Sequence, residues 1–143
     1  MRSKKFVIPL ILFLLFSLTT AVFTLFGVQL RDFFSPKVTY MNPVECTVKM
    51  GDEDWMMSSA PNSLVLYDDS GTPFVWIIDE DEITGEKRNC AKKLSLDIYD
   101  ITDDYTITLN LRNKHMLLVS SDREIIDNQR VVVTKMVSAE TED

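Results

Sequence analysis

Two cysteines, Cys46 and Cys90, are the only thiols in this chain of 143 residues. On the outer side of a membrane such a pair can form a disulfide, and closing the long loop between them would stabilise the fold by about 3 to 4 kcal/mol. The other interpretation is two free thiols, one of them buried on a strand face. We expect no metal site, because the chain has one histidine and no Cys-x-x-Cys motif.

His115, the single histidine, follows Lys114 at a predicted turn. A catalytic base needs a nucleophile and an orienting acid at defined geometry. The chain contains neither a Gly-x-Ser-x-Gly motif nor a His-Glu-x-x-His motif to accompany this histidine. We therefore expect His115 to be a solvent-exposed turn residue, in a protein without catalytic residues and without a cofactor.

Two acidic runs, residues 79–82 and 100–104, hold clustered carboxylates of the kind that bind hard cations. Neither run has the alternating ligand spacing of a calcium loop or its bidentate glutamate. We expect solvated segments instead, and we interpret residues 79–88 as a mobile loop or the tip of a hairpin.

Trp55, Met56 and Met57 follow a polar segment, residues 51–54. Aromatic and methionine side chains are favoured at adaptable protein interfaces. In a small β-domain such residues more often fill the core, which is our interpretation of Trp76 because it lies within an apolar strand. The Trp55-Met56-Met57 segment is the better candidate for a surface that binds a partner.

Charge is distributed unevenly along the chain. Residues 6–30 carry no charge, whereas twelve basic and all 22 acidic residues follow Leu30 and leave that part with a net charge of −10. An acidic domain of this kind repels phosphate groups. We therefore expect no nucleic acid among its partners.

The uncharged segment, residues 6–30, is long enough to be a membrane anchor. Its 25 residues would span about 37 Å as a helix, and the hydrocarbon core of a bilayer is about 30 Å thick. Because the preceding segment, residues 1–5, is basic, the positive-inside rule predicts a cytoplasmic N-terminus. The lipid bilayer is then the partner of residues 6–30, and residues 31–143 lie outside the cell membrane.

A cleaved signal peptide is the alternative interpretation of the same segment. Its apolar region would be Val7–Phe16, and Thr19-Thr20-Ala21 would serve as the cleavage site. Apolar residues continue past Ala21 to Phe26, however, which makes the segment longer than the usual apolar region of a signal peptide. This continuation favours the uncleaved anchor.

After Pro36 the pattern is short, β-branched and alternating, which is typical of strands. We predict an all-β fold, a small antiparallel sandwich or barrel-like domain of seven or eight strands. The expected divisions are a stub, helix and joint at 1–36, the β-domain at 37–137 and a disordered acidic tail at 138–143. The predicted strands are 44–50, 63–67, 74–78, 94–98, 105–111, 116–119, 123–126 and 130–136. Turns are expected at 68–71, with Gly71 at positive φ, and at 127–128.

Part of this pattern resembles a known family over Ala60–Val133. The segments that carry the resemblance are Ala60-Pro-Asn-Ser-Leu-Val-Leu-Tyr67, Asp68-Asp-Ser-Gly-Thr-Pro-Phe-Val-Trp-Ile-Ile-Asp79, Tyr105-Thr-Ile-Thr-Leu-Asn-Leu111, Met116-Leu-Leu-Val119 and Ile126-Asp-Asn-Gln-Arg-Val131. They resemble the C-terminal, membrane-proximal β-domain of membrane fusion proteins, the periplasmic adaptor subunits of bacterial efflux and export pumps. The family favours glycine where this chain has Asn110, Lys114 and Asn128, and residues 31–59 leave no room for its helical hairpin, lipoyl-like domain and full barrel.

The resemblance implies a non-enzymatic accessory subunit, much shortened and membrane-anchored, that docks onto a transporter permease or another envelope protein. A small extracytoplasmic domain that binds or senses a ligand is the alternative, and it would need a concave pocket with convergent polar groups. An enzyme is the third and least favoured interpretation, because no catalytic motif is present.

Overall fold

The computed structural model describes residues 4–83 and 85–138 and divides into two compact units, residues 1–35 and 36–143. The first unit contains one helix, α1 (Lys4–Phe34). The second, which we call the head, is built from strands. The prediction of an all-β protein with one N-terminal helix is confirmed. Of the predicted acidic tail at 138–143, only Ser138 lies within the described residues.

The strands of the head are β1 (Lys37–Met41), β2 (Val44–Met50), β3 (Glu53–Pro61), β4 (Leu66–Tyr67), β5 (Pro73–Ile83), β6 (Glu86–Ser95), β7 (Ile98–Ile101), β8 (Tyr105–Thr108), β9 (Met116–Ser121), β10 (Gln129–Arg130) and β11 (Val132–Met136).

Helix α1 is apolar over Val7–Gly27, where its mean hydropathy is 2.3. These 21 residues are about 31 Å long, which matches the hydrocarbon thickness of a bilayer. Threonine hydroxyls in this segment donate to carbonyl oxygens of the same helix: Thr20 donates to that of Phe16 at 2.8 Å, and Thr24 donates to that of Thr20 at 2.8 Å. Such a helix has the length and composition of a membrane span or of a signal sequence.

The larger sheet of the head is a curled half-barrel with the strand order β10-β6-β5-β9-β1-β11, and β4 pairs with β5. Strand β11 pairs with β1 in parallel, so the sheet is mixed and the prediction of an antiparallel domain is wrong for this pair. The strand predicted at 123–126 is also wrong, because the structure has no strand there that could pair with the last one. Instead the Val132 amide donates to the carbonyl oxygen of Pro36 at 2.8 Å, and the Thr134 hydroxyl donates to that of Val38 at 3.0 Å.

The smaller sheet is antiparallel, with the strand order β2-β3-β8-β7. Strand β2 has the predicted bounds, and its side chains alternate between half-buried and exposed as predicted. One core cluster contains residues of both sheets, among them Ala60 of β3, Val75 of β5 and the fully buried Leu117 of β9. A second cluster, which includes Val38 and Ile78, covers the other face of the larger sheet.

Of the two interpretations of residues 79–88, the mobile loop is wrong and the tip of a hairpin is confirmed, because β5 and β6 pair along this segment. The ladder continues to the Ile83–Glu86 pair, and Gly85 adopts a φ of +80°. Acidic residues of β5 stand near basic residues of β6 within this ladder. Lys92 donates to the Asp79 carboxylate at 2.8 Å, and this hydrogen bond lowers the pKa of Asp79 below its ordinary value. Cross-strand pairs of opposite charge therefore offset the low strand propensity of the acidic run.

The predicted turn at residues 68–71 is confirmed. The Asp68 carboxylate accepts the amides of Ser70 at 3.0 Å and Thr72 at 2.9 Å, and Gly71 adopts a φ of +77°. Hydrogen bonds from the Ser70 hydroxyl, from Lys93 and from the Thr72 amide hold the pKa of Asp68 well below its usual range. The turn predicted at 127–128 is confirmed as well, with Asn128 at a φ of +61°.

The strand predicted at 63–67 is shorter than expected, and the strand predicted at 94–98 is divided in two. Within 63–67 only Leu66–Tyr67 is strand, and Asn62–Leu64 forms a 3-10 turn. The Asn62 amide donates to the carbonyl oxygen of Thr102 at 2.9 Å, which fixes this turn against the β7–β8 connection. The strand predicted at 94–98 is divided between the end of β6 and the start of β7.

Candidate functional site

An open groove of about 430 Å³ lies beside the first half of β3. We call it the β3 groove. One wall is residues 55–58 of β3, and the other is formed by Thr108, Leu109 and residues 111–113. The predicted partner surface, Trp55-Met56-Met57, therefore lies on one wall of a single depression.

The groove exists because β8 accompanies β3 for only part of its length. The two strands pair from Ser58 to Pro61, and β3 continues to Glu53 without β8. After Thr108 the chain turns away, since the Thr108 hydroxyl accepts the Leu111 amide at 3.3 Å. Among the described residues, no strand occupies the place that β8 leaves beside Glu53–Met57.

Asn110 explains why the chain leaves β3 at this point. Its side-chain amide donates to the carbonyl oxygen of Ser95 at 2.6 Å, and its Oδ1 accepts the Asp97 amide at 3.0 Å. These bonds draw the segment after β8 toward the β6–β7 connection. The strand predicted at 105–111 therefore ends at Thr108, and the side chain of Leu109 is 57% exposed.

Both walls of the groove present apolar side chains to solvent. Trp55 is 50% exposed and Met56 is 67% exposed, and the core clusters of the described residues include neither. Trp76, by contrast, packs against the second core cluster and makes an edge-to-face contact with Phe74 at a centroid distance of 5.8 Å. The prediction that Trp76 fills the core is met in part, since this side chain is half-buried against the core, whereas Trp55 is exposed.

The hairpin of β2 and β3 ends in an acidic cluster. Asp52, Glu53 and Asp54 are exposed, and within residues 4–83 and 85–138 we find no ion pair that involves them. Lys49 is the one basic residue of the hairpin and stands opposite Asp54 in the register. The single cation on the facing wall of the groove is Arg112. The hairpin tip is therefore acidic, and Asp54 directly precedes Trp55, the first residue of the groove wall.

Cys46 and Cys90 are free thiols that lie in different sheets. Cys46 is half-buried in β2, where its thiol donates weakly to the carbonyl oxygen of Met57 at a sulfur–oxygen distance of 3.6 Å. Burial is the main cause that raises the pKa of Cys46. Cys90 is 1% exposed in β6.

We expect alkylation to distinguish the two thiols. In the native full chain Cys46 reacts slowly, because its pKa is raised, and Cys90 is protected by burial until the head unfolds. Mass spectrometry without a reducing agent, before and after denaturation, measures the number of alkyl groups. Addition of both groups after denaturation is the expected result, and a denatured chain that takes up none would contradict it.

His115 lies at a turn, as predicted, but its ring is half-buried rather than exposed. The His115 amide donates to the carbonyl oxygen of Arg112 at 2.9 Å, and the Arg112 amide donates to Nδ1 of His115 at 3.1 Å. Burial, followed by the charge of Lys114, lowers the pKa of His115 below its ordinary 6.5. The neutral ring is therefore a structural acceptor that holds the turn next to the groove.

This lowered pKa predicts a pH-dependent stability. The folded state disfavours the protonated ring, so the contribution of His115 is complete above its ordinary pKa of 6.5 and is lost as the pH falls toward the lower folded value. We expect the melting temperature to decrease between about pH 7.5 and 5.5. The His115→Asn variant retains an acceptor oxygen and removes the titration, so its melting temperature should fall less. Equal decreases in both proteins would contradict this role.

The acidic runs form no metal site in the part of the chain that the structure describes, where no group of three or more metal-ligating side chains converges. In the first run, basic residues of β6 neutralise the carboxylates of Asp79, Glu80 and Asp81. The Asp100 carboxylate in the second run accepts the amide of Ile101 at 2.9 Å.

The site thus consists of an open groove with apolar walls beside a sheet edge, next to the acidic tip of the β2–β3 hairpin. The sequence predicted the wall that contains Trp55, Met56 and Met57. It did not predict the wall that contains Leu109 and Arg112, because that wall depends on the contacts of Asn110 with a distant segment. Comparisons with protein-family models, with curated proteins and with solved structures found no match to this chain.

Proposed function

We propose that this chain is a non-enzymatic, membrane-anchored interaction protein whose head binds a partner protein at the β3 groove. The observation that carries the proposal is the exposure of Trp55 and Met56 on a wall of this groove, at 50% and 67%. Partly exposed tryptophan and methionine side chains in a groove are typical of adaptable protein interfaces.

Anchoring by α1 is the second part of the proposal. Three basic residues, Arg2, Lys4 and Lys5, precede the apolar segment, and the positive-inside rule therefore predicts a cytoplasmic N-terminus. The head would then lie on the outer side. A helix that keeps the head near the bilayer raises its effective concentration for a partner in the same membrane, which allows a weak interface to be occupied.

The more specific form of the proposal is an adaptor-like accessory subunit of an export or efflux complex. Its support is the sequence resemblance of Ala60–Val133 to the membrane-proximal domain of membrane fusion proteins. The partner in this form is a transporter permease or another envelope protein of the same membrane.

An extracytoplasmic domain that binds or senses a small ligand is the second candidate. The volume of the β3 groove, about 430 Å³, falls within the range of small-molecule sites. Such sites usually enclose most of the ligand surface. Because Trp55, Met56 and Leu109 are all at least half exposed, the groove is better suited to a segment of a protein.

Cross-linking in cells followed by purification of the tagged full chain from solubilised membranes tests the proposal. We expect an integral membrane transporter to be recovered with the wild-type protein, and Trp55→Ala combined with Met56→Ala to reduce its yield several-fold. The matched control is Tyr67→Ala combined with Ile126→Ala, because these side chains are 62% and 66% exposed at other places on the head. The control should retain the transporter.

Three results would contradict the proposal. The groove variant could recover the same proteins as the wild type, the wild-type protein could be recovered alone, or the protein could carry a bound small molecule instead. Native mass spectrometry of the purified chain detects the last result, which would favour the ligand-binding candidate.

A further inference from the structure

The free edge of β3 faces the β3 groove. Strand β3 extends five residues, Glu53–Met57, beyond the part that pairs with β8. Alternate residues of a strand direct their backbone amide and carbonyl groups to opposite edges. Strand β2 occupies one edge along this whole length, so the remaining backbone groups of Glu53–Met57 point toward the groove.

Open strand edges are places where a second chain can add, and proteins usually cover or block them. In the described part of this chain no strand pairs with the edge at Glu53–Met57, and residues 111–113 form the facing wall of the groove. Five residues of strand are about 17 Å long, which is enough for an added strand of five or six residues. Trp55 and Leu109, on facing walls, would contact the side chains of the added strand.

The charged residues near the β3 edge determine which kind of protein segment can bind there. In the β5–β6 hairpin, basic residues of the same chain neutralise the acidic ones, with Lys92 2.8 Å from Asp79 and Arg88 3.5 Å from Asp81. At the start of β3 the carboxylates of Asp52 and Glu53 have no such ion pair within the described residues, and the groove lining adds one cation, Arg112. Basic residues of a partner would supply the missing charge.

The same charge argues against two other occupants. A second copy of the head would bring another domain with a net charge of −10 to an acidic edge. The anionic headgroups of a membrane would also be repelled. A basic segment of a protein is the occupant that this edge attracts.

We propose that the partner binds as an extended, positively charged segment that adds as a strand beside Glu53–Met57, in the place that β8 leaves. This inference rests on the proposed function, since it names the chemistry of the partner for the same groove. Main-chain hydrogen bonds would hold the segment, Trp55 and Leu109 would contact its apolar side chains, and Glu53 would pair with its cations.

Hydrogen exchange of the full chain in detergent micelles tests this inference. The probe is a blocked peptide of about ten residues in which arginine and valine alternate. One control peptide has glutamate in place of arginine, and another has proline at alternate positions, which removes backbone donors. We expect only the first peptide to slow exchange in residues 53–57, by at least about fivefold. Exchange in β7, the opposite edge strand of the smaller sheet, should remain unchanged.

A charge reversal at the edge completes the test. Glu53→Lys combined with Asp54→Lys should weaken binding of the arginine peptide by about tenfold, since several ion pairs are lost. The control, Asp69→Lys combined with Glu124→Lys, makes the same change in net charge at exposed residues outside the groove. The fluorescence of Trp55 in a Trp76→Phe background measures the affinities.

The outcomes separate this inference from the proposed function. Equal binding of the arginine and glutamate peptides, or equal protection of β7 and β3, would overturn the inference. If cross-linking to a transporter depends on Trp55 and Met56 but the arginine peptide protects nothing at 53–57, the partner binds through side chains alone. In that case the proposed function stands and the strand-addition inference fails.

Discussion

Replacing Leu117 by alanine is expected to lower the free energy of unfolding of the head by about 3 to 4 kcal/mol. Leu117 lies in β9 between β5 and β1, is fully buried, and belongs to the core cluster that contains residues of both sheets. Removing its branched end leaves a cavity. The surrounding side chains belong to two close-packed sheets, and they can relax only partly to fill it. Denaturant titration of the solubilised full chain, followed by tryptophan fluorescence, measures the change.

The matched control is Leu109→Ala, which removes the same atoms from a side chain that is 57% exposed. We expect it to change the free energy of unfolding by less than about 0.5 kcal/mol. Because Leu109 lies on a wall of the β3 groove, this variant should nevertheless weaken partner binding. A cost below about 1 kcal/mol for Leu117→Ala would mean that the two sheets do not share this core.

The second large effect is expected from two arginines in α1. Leu14→Arg combined with Leu18→Arg introduces charges that cost about 2.5 to 3.5 kcal/mol each at the centre of a membrane helix. Each apolar residue contributes only about 0.3 to 0.6 kcal/mol to insertion, so the two charges cancel most of the gain from the whole segment. We expect most of this variant to leave the membrane fraction in a high-salt wash, while the wild-type chain remains in it.

The control for this experiment is Leu14→Ala combined with Leu18→Ala, which should stay in the membrane fraction. Release of the wild-type chain by the same wash would contradict the anchor. Intact mass of the wild-type protein distinguishes the signal-peptide interpretation, because cleavage after Ala21 gives a mature chain that begins near Val22.

Local features of the fold were predictable from the sequence. Alternation identified β2, the Asp68–Gly71 segment identified a hairpin turn, and an uninterrupted apolar segment identified α1. Each of these features depends on residues close together in the chain. The exposed position of Trp55 was predictable for the same reason, since it follows a polar segment rather than an apolar strand.

Features that depend on distant residues were not predictable. Strand β1 has only five residues, and its parallel pairing with β11 joins segments more than ninety residues apart. The acidic run in β5 favoured a loop until the facing cations of β6, such as Lys92, were known to neutralise it. The second wall of the β3 groove depends on Asn110 and its bonds to Ser95 and Asp97.

We propose that α1 tethers the β-built head on the outer side of a membrane. A membrane-impermeant thiol reagent tests it most directly, in bacterial spheroplasts that express the full chain with Cys46→Ser and Cys90→Ala. In this background Asp69→Cys introduces a thiol into an exposed turn of the head, and Ser3→Cys introduces one before the helix. We predict that Asp69→Cys is labelled in intact spheroplasts and sediments with the membranes, whereas Ser3→Cys is labelled only after lysis. Labelling of Asp69→Cys only after lysis, or its recovery in the soluble fraction, would contradict an anchored head on the outer side of the membrane.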